Sequence, residues 1–278
     1  MTFQYARLKH LFSAYDAFLI DQFGVLMSGD GPYQGAAEAL KYVTQLGKPS
    51  IILSNSGKRS ELNCDRLVHN GFDRSDFLTV LTSGEVAHEY ISQQIGLTIP
   101  NAGKVLALIR EGDEPPLSNL NLEVTKDPAA ADFLMIISRD PACTLSSYKP
   151  TLELLISRAV PCFCVNPDME MLTPTGTIAS AGQIGKIYSD LGGSVKWFGK
   201  PHSLIYQKAL QLLPSIEAKR VLCLGDSLSH DILGGSTAGC KTALVRTGIH
   251  AALSDEELEK FATTLSAQPD HVLKGFSL

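Results

Sequence analysis

The sequence has no long hydrophobic run, and this absence bears on where the protein can reside. No stretch of about 18 consecutive apolar residues occurs in the chain, so we expect no membrane-spanning helix. The N-terminal segment lacks an apolar run followed by a small-residue cleavage site, so we expect no signal peptide either. We therefore predict a cytoplasmic location and no membrane partner.

The sequence also lacks an excess of positive charge. Its 24 lysines and arginines are outnumbered by 29 aspartates and glutamates, which gives a formal net charge of −5. An acidic chain has no general electrostatic attraction to nucleic acid or to anionic lipid. We therefore predict no nucleic-acid partner, and we expect any phosphate group to be held by a local site.

The six cysteines lack the spacing of a metal site. Cys162 and Cys164 alternate in a short apolar run, which is typical of one face of a β-strand, and no further soft ligands lie near them. Reduced cysteines in the interior are the simpler interpretation. With 44% hydrophobic and 19% charged residues among 278, the chain has the composition of a globular protein.

Short apolar runs alternate with segments of helical periodicity, and this pattern predicts a parallel α/β fold. After about residue 94 a second set of short apolar runs begins, and these runs predict the strands of another sheet. Core-like elements return near residue 184. We therefore predict a core made from residues 1–83 and 184–278, interrupted by an inserted domain at residues 84–183.

Four predicted strands of the core end in, or are closely followed by, a polar residue. These residues are Asp21, Ser54, Lys200 and Asp226. Because ligands collect at the carboxyl ends of the strands in a doubly wound sheet, we expect the four side chains to meet at one edge. An aspartate can attack phosphorus, and Mg²⁺ held by carboxylates offsets the repulsion between that aspartate and a phosphate. The set therefore predicts a phosphoryl-transfer site.

The order and spacing of these residues resemble the haloacid dehalogenase (HAD) superfamily, and specifically its class IIA members, the nitrophenyl-phosphatase- and nucleotide-phosphatase-like hydrolases. The resemblance covers nearly the whole chain and rests on four motifs in order. They are Asp21-Gln22-Phe23-Gly24-Val25, Leu53-Ser54-Asn55-Ser56, Phe198-Gly199-Lys200-Pro201, and Gly225-Asp226 followed five residues later by Asp231. The resemblance implies an α/β fold with a doubly wound, Rossmann-like parallel sheet and a large inserted α/β cap domain of C2 type.

The resemblance also implies roles for individual residues. Asp21 is the expected nucleophile. Asp21, the Phe23 carbonyl and Asp226 are the expected ligands of Mg²⁺, and Asp231 is expected to act on the ion from outside its coordination shell. Ser54, Asn55 and Lys200 are expected to hold the phosphoryl group. The expected substrate contacts are Asn55, Ser56, Asn166 and Asp168, the last two in a turn of the cap that helps to select the leaving group.

One position departs from the family's pattern. The phosphatases of the family usually carry a second aspartate two residues after the nucleophile, which protonates the leaving oxygen, and this chain has Phe23 there. General acid–base catalysis contributes about 10²–10⁴-fold. The departure therefore predicts a preference for aryl or acyl phosphates, whose leaving group departs without a proton. His202, His230 and Asp168 are candidate replacements for the missing acid.

Three functions fit the sequence. The first is a magnesium-dependent phosphohydrolase that acts on a small phosphate ester through an aspartyl-phosphate. The second is a catalytically weak regulatory protein that binds a phosphorylated ligand. The third is a haloacid dehalogenase, which commonly has an aromatic residue at this position but needs no metal, so it leaves Asp226 and Asp231 unexplained. The sequence does not identify the substrate beyond a small phosphorylated metabolite, and the resemblance allows a homodimer.

Overall fold

The computed structural model describes residues 4–173 and 176–278, which form two compact units. The first, called the core unit, contains the residues up to Ser54, Ser60–Leu81 and Lys200–Leu278. The second, called the inserted unit, contains Asn55–Arg59 and Thr82–Gly199. Among the described residues, no helix is both long and apolar enough to cross a membrane.

The helices and strands alternate along the chain, as the sequence predicts for an α/β protein. In chain order they are α1 (Leu8–Ala14), β1 (Ala17–Asp21), β2 (Met27–Ser28), β3 (Gly31–Pro32), α2 (Ala36–Gln45), β4 (Ser50–Ser54), α3 (Ser60–His69), β5 (Thr79–Thr82), α4 (Ser83–Gln94), β6 (Gly103–Leu108), β7 (Leu122–Thr125), β8 (Phe133–Ile136), α5 (Lys149–Ser157), β9 (Cys162–Cys164), β10 (Glu170–Thr173), β11 (Gly176–Ala179), α6 (Ala181–Asp190), β12 (Val195–Trp197), α7 (Ser203–Gln211), β13 (Val221–Gly225), α8 (Leu233–Thr237), β14 (Lys241–Val245), α9 (Asp255–Leu265) and β15 (His271–Leu273).

The core unit is built on one sheet with the strand order β15-β14-β13-β1-β4-β5. β1 pairs in parallel with both β13 and β4. All five residues of β1 and of β13 are buried, which is typical of central strands covered on both faces. The chain builds one side of the sheet after β1 and returns to build the other side from β13. The switch point of the sheet, where ligands usually bind, therefore lies between β1 and β13.

The helices of the core unit cover this sheet with apolar side chains. Leu40 and Val43 of α2 are fully buried against it, in the same hydrophobic cluster as Phe18 of β1. The rings of Phe12 and Phe18 meet edge to face with centroids 5.1 Å apart, and Phe276 adds a second edge contact to Phe12. This packing holds the central strands, and with them the residues at their carboxyl ends, in one arrangement.

The inserted unit has its own parallel sheet, with the strand order β12-β9-β8-β6-β7. β10 and β11 form a separate antiparallel pair. Leu152 and Leu155 of α5 and Ile184 and Tyr188 of α6 are buried in one hydrophobic cluster with the sheet. The unit therefore has a core of its own, and Cys162 and Cys164 are buried free cysteines within it.

The inserted unit extends further than the predicted residues 84–183. β12 pairs with β9 in register Val195↔Cys162, and α6 packs on the same sheet, so both elements belong to the inserted unit, which ends at Gly199. The segment Asn55–Arg59 also belongs to it. The apolar periodicity of α6 and β12 predicts their type correctly but does not indicate which of two similar sheets they join.

Candidate active site at the carboxyl edge of the core sheet

Three carboxylates of the core unit converge at the ends of β1 and β13. Asp21 is the last residue of β1, Asp226 follows β13, and Asp231 lies in a π-helical turn, Leu228–Ile232. One oxygen from each of the three lies within 4.8 Å of the others, and all three residues are buried. The structure therefore brings together side chains that are about two hundred positions apart in the sequence, at the switch point of the sheet.

Lys200 bonds to two of these carboxylates. Its ammonium donates to Asp21 Oδ1 and, at 2.8 Å, to Asp231 Oδ1, and it lies 3.5 Å from the carbonyl oxygen of Leu53. Burial alone would lower the pKa of Lys200, but the neighbouring Asp21 and Asp231 raise it above its usual value. The lysine therefore stays protonated at neutral pH and contributes one fixed positive charge.

One ammonium does not balance three ionised carboxylates. Burial raises the pKa of Asp21 well above its usual value, and Asp231 and Asp226 add to this effect although Lys200 opposes it. Burial and the charge of Asp231 raise the pKa of Asp226 to about 7. A further cation would favour the ionised form of both groups, because opposite charge nearby lowers the pKa of a carboxyl group.

The three carboxylates differ in how many of their oxygens accept hydrogen bonds. Asp226 Oδ2 accepts from the backbone N–H of Ile249 at 2.6 Å, and Asp231 Oδ2 accepts from that of Ser227 at 3.1 Å. Asp231 thus uses both oxygens, since its Oδ1 binds the lysine. In the part of the chain that the structure describes, Asp21 bonds to other residues only through Oδ1, and Asp226 only through Oδ2.

The donor set fits a hard divalent cation. Mg²⁺ prefers oxygen ligands and is usually bound through one or two carboxylates, with water or substrate completing the shell. Asp21 and Asp226 each have an oxygen that can face an ion. Asp231, with both oxygens engaged, suits a role outside the coordination shell.

Three glycines allow this close packing of backbone and carboxylates. A Cβ atom on Gly24, whose φ is +91°, would overlap the carboxylate of Asp226, and so would a Cβ atom on Gly248. A Cβ atom on Gly225 would overlap the side chain of Asp231 in the same way. The positions of the two carboxylates therefore depend on the absence of side chains at these glycines.

The loop after β14 contributes residues that the sequence pattern does not indicate. Thr247 Oγ1 donates to the carbonyl oxygen of Gly24 at 2.6 Å, and the next two residues, Gly248 and Ile249, contact Asp226. The signal was available, because this loop follows a buried apolar strand whose carboxyl end lies at the same edge of the sheet. The loop itself carries no carboxylate, lysine or other residue that alone suggests chemistry, so its residues do not stand out in the sequence.

The remaining predicted residues of the core unit lie next to this cluster in the sheet or the chain. Ser54 is buried at the end of β4, the strand beside β1. Phe23 lies in the turn after β1, where its backbone bridges to Met27 and its side chain is 40% exposed. A phenyl ring exchanges no proton, so this position offers no acid or base two residues after Asp21.

His202 and His230, the candidate replacements for the missing acid in the core unit, lie close to each other. His230 Nδ1 is 3.2 Å from Ser227 Oγ. Burial lowers the pKa of His202, and the charge of His230 lowers it further. A lowered pKa favours the neutral imidazole of His202 at neutral pH, and a role for either histidine as the acid stays a prediction.

The four predicted substrate residues lie in the inserted unit, where they form hydrogen bonds in two turns. Asn55 Nδ2 donates to Asp168 Oδ1 at 2.7 Å, and the backbone N–H of Asp168 donates to Asn166 Oδ1 at 2.9 Å. Ser56 Oγ accepts from the backbone N–H of Lys58 at 3.3 Å. These bonds give the four residues a structural role, and their contact with a substrate stays a prediction.

Models of two related families match the chain. One, described as haloacid dehalogenase-like hydrolase, matches residues 18–123, and the other, described as HAD-hydrolase-like, matches residues 197–277. The matched segments contain Asp21, Ser54, Lys200, Asp226 and Asp231. They include most of the core unit and the first part of the inserted unit.

Similar proteins agree with these matches over nearly the whole chain. An acid sugar phosphatase of Staphylococcus aureus is 28% identical over 254 residues, which cover 91% of this chain and 94% of the relative. A possible sugar phosphatase of the HAD superfamily from Cytophaga hutchinsonii superposes with a TM-score of 0.83 at 26% identity, covering 99% of each chain. A p-nitrophenyl phosphatase from Archaeoglobus fulgidus superposes with a TM-score of 0.74 at 26% identity, covering 94% of this chain and 97% of the other.

The chain therefore belongs to the HAD superfamily, as a class IIA-like hydrolase of the phosphatase type. Its α/β core with a large inserted domain is the fold that the four motifs predicted, so the predictions of family and fold class are confirmed. Hydrolases of this superfamily generally use a divalent metal ion, which agrees with the acidic cluster of the core unit.

Proposed function

We propose that this enzyme is a Mg²⁺-dependent phosphatase that hydrolyses small phosphate esters through an aspartyl-phosphate formed on Asp21. One observation carries the proposal: the Asp21 carboxylate is bound by Lys200 on one oxygen and lies with Asp226 and Asp231 in a cluster no wider than 4.8 Å. The names of the similar proteins, acid sugar phosphatase and p-nitrophenyl phosphatase, support small phosphate esters, sugar phosphates among them, as the substrate class.

Asp21, the Phe23 carbonyl and Asp226 are the proposed ligands of the ion, and Asp231 is proposed to act from outside its coordination shell. When bound, Mg²⁺ supplies the positive charge that lets a carboxylate approach a phosphate dianion. Lys200 balances further negative charge on the phosphoryl group, and Ser54 donates a hydrogen bond to one of its oxygens.

The proposed reaction has two displacements at phosphorus. An oxygen of Asp21 attacks, and the bond between phosphorus and the leaving oxygen breaks, with the electron pair going to that oxygen. Water then attacks phosphorus, the bond to Asp21 breaks, and the carboxylate is restored as inorganic phosphate is released. Because Phe23 donates no proton, the leaving group departs as an anion. Esters of acidic hydroxyl groups therefore react fastest.

The test compares p-nitrophenyl phosphate with a sugar phosphate, with Mg²⁺ and with excess EDTA. We expect kcat/KM to be higher for the aryl ester by about 10²-fold or more, since general acid catalysis is missing. EDTA should abolish the turnover of both esters. Equal kcat/KM for the two esters would contradict the proposed role of Phe23, and full turnover in EDTA would contradict the metal requirement.

Asp21→Asn is the decisive variant, and Asp16→Asn is its matched control. Asp21→Asn should lower turnover by about 10³-fold or more, because the nucleophile is lost. Asp16 precedes the same strand but is half-exposed and bound to Arg220 at 2.8 Å, so Asp16→Asn should leave turnover unchanged. Turnover by Asp21→Asn at the parent rate would refute the mechanism.

A further inference from the structure

An exposed aromatic ring beside the proposed nucleophile is covered by an arginine. Phe23 lies two residues after Asp21, and the residue is 40% exposed although its side chain is apolar. The guanidinium carbon of Arg66, in the last turn of α3, lies 5.7 Å from the centroid of this ring. At that distance a guanidinium is attracted to the face of an aromatic ring. The two side chains thus form one surface patch of the core unit, called here the Phe23–Arg66 pair.

Arg66 is a partly buried cation without a carboxylate partner in residues 4–173 and 176–278. Two other arginines of the core unit bind a carboxylate: Arg220 binds an aspartate at 2.8 Å, and Arg246 binds another at 2.6 Å. A guanidinium has five donors in a planar fork that matches a carboxylate. The charge of Arg66 is therefore available to an anionic group of a ligand.

The charge of the site favours a further cation for any negative charge that a substrate carries outside its phosphoryl group. Asp21, Asp226 and Asp231 carry up to three negative charges against the single charge of Lys200. The proposed Mg²⁺ offsets the charge of these carboxylates and of the phosphoryl group, so a second anionic group on the substrate is bound more tightly if it has a cation of its own. Arg66, at 5.7 Å from the Phe23 ring, can provide that cation.

We propose that the Phe23–Arg66 pair binds the organic part of the substrate, and that this part is a planar group ending in a carboxylate. The Phe23 ring offers an apolar face for a planar group, and Arg66 offers a bidentate partner for the carboxylate. This inference rests on the proposed phosphatase function and narrows its substrate class to phosphate monoesters with a carboxylate on the organic part. Arg66 is then a specificity-determining residue, and it takes no part in the displacement at phosphorus.

The experiment compares two esters of nearly the same shape, the charged 4-carboxyphenyl phosphate and its neutral amide, 4-carbamoylphenyl phosphate, whose leaving group is slightly the more acidic of the two. The ratio of their kcat/KM values, measured with the full chain and Mg²⁺, is the selectivity. We expect a selectivity of about tenfold or more in favour of the carboxylate, as for one charge-assisted bidentate contact. The selectivity should fall at high ionic strength, because this contact is only partly buried.

Arg66→Gln should bring the selectivity close to one, while Arg66→Lys should retain part of it. The matched control is Arg74→Gln. Arg74 also lies over a phenylalanine ring, at 5.0 Å from Phe77, but it donates to the Phe77 carbonyl at 2.9 Å and lies near the start of β5, away from the carboxyl edge of the sheet. Arg74→Gln should keep the parent selectivity. Thermal unfolding of each variant shows whether it folds.

Three results would overturn the inference. They are a selectivity near one in the parent chain, a selectivity that does not change with ionic strength, and a parental selectivity in Arg66→Gln. The second result uses the parent chain alone, so it decides the question even if the Arg66 variants do not fold. Failure of the parent chain to hydrolyse either ester would instead refute the proposed phosphatase function, and the subsite with it.

Discussion

Polar residues lie at the ends of strands in both parallel sheets of this molecule, but their surroundings differ between the two sheets. In the core sheet, Asp21 and Asp226 follow neighbouring strands and are buried together. In the inserted sheet, β6, β8 and β9 are also neighbours, and Arg110, Ser138 and Asn166 each come two residues after the end of their strand. The position of a polar residue after a parallel strand is thus common to both sheets and does not by itself define a site.

Local partners satisfy the polar groups at the edge of the inserted sheet. The backbone N–H of Arg110 donates to Ser138 Oγ at 2.8 Å, and Asn166 accepts from the backbone two residues later. Lys58 and Asp113 pair at 2.8 Å with both side chains partly exposed. At the edge of the core sheet, like charges outnumber their partners inside the protein. This excess of buried charge, rather than the strand ends, distinguishes the site that we propose for chemistry.

The largest expected difference between the two units is the effect, on turnover and on the free energy of unfolding, of replacing a lysine that forms an ion pair. Lys200→Met should lower turnover by about 10³-fold, since a cation aimed at the phosphoryl group is lost. It should also lower the free energy of unfolding by about 3–5 kcal/mol at pH 7.5, because it leaves buried carboxylates without a partner. Activity assays and urea unfolding measure the two effects.

The inserted unit provides the matched lysine. Lys186 binds Asp190 at 2.7 Å, but both side chains are 60% exposed. Lys186→Met should therefore change the free energy of unfolding by less than about 1 kcal/mol and leave turnover unchanged. If both substitutions had the same effect on stability, burial would not be the feature that separates the two units.

A second, smaller contrast concerns glycines that lie against the functional groups of each unit. Gly248→Ala places a methyl group against the Asp226 carboxylate, so it should weaken Mg²⁺ binding by about 10–100-fold, as displaced outer-shell contacts do. In the inserted unit, Gly182→Ala places a methyl group against the Pro167 carbonyl. It should lower the free energy of unfolding by about 1–3 kcal/mol without changing the Mg²⁺ requirement.

Activity measured over a range of Mg²⁺ concentrations, together with urea unfolding, separates these two outcomes. The proposed metal site predicts that half-maximal activity of the Gly248 variant requires more Mg²⁺. A Gly248 variant with the parental Mg²⁺ dependence would argue against Asp226 as a ligand of the ion.

The smallest effect concerns pH and a buried histidine of the core unit. His250 Nε2 accepts from the backbone N–H of Leu228 at 3.2 Å, so the imidazole is held neutral. Burial, with Arg246 and His230 nearby, lowers the pKa of His250 to about 4, although Asp231 opposes the shift. The unfolded chain, with a pKa near 6.5, takes up this proton at higher pH, so stability is lost as pH falls from about 6.5 towards 4.

His250→Gln removes this contribution. The fall in the free energy of unfolding between pH 7.5 and pH 4.5 should be smaller in the variant than in the parent by about 1–2 kcal/mol. Urea unfolding at the two pH values measures it. Identical pH dependence in the two proteins would show that His250 is not the group that titrates.

Much of the core sheet could be predicted from the sequence, because its central strands are short runs of apolar residues that end in polar ones. The prediction of strands ending at Asp21, Ser54 and Asp226 agrees with β1, β4 and β13 to within one residue. The sequence does not predict the strand β7 (Leu122–Thr125), because an edge strand with exposed side chains has no such pattern. Val124 of this strand, for example, is 52% exposed, so the strand is not a run of buried apolar residues.

The sequence by itself determined the family, the alternation of strands and helices, and the four motifs, which contain the residues Asp21, Lys200, Asp226 and Asp231 that the structure brings together at one edge of the core sheet. These features depend on residue type and order along the chain, which local physics links to strands, helices and turns. Only the tertiary structure decided that β12 pairs with β9, that Gly248 lies against Asp226, and that Arg66 lies over the Phe23 ring. Each of these is a contact between residues that are far apart in the sequence. The local sequence around an apolar strand, a glycine or an arginine does not indicate which distant residue it contacts.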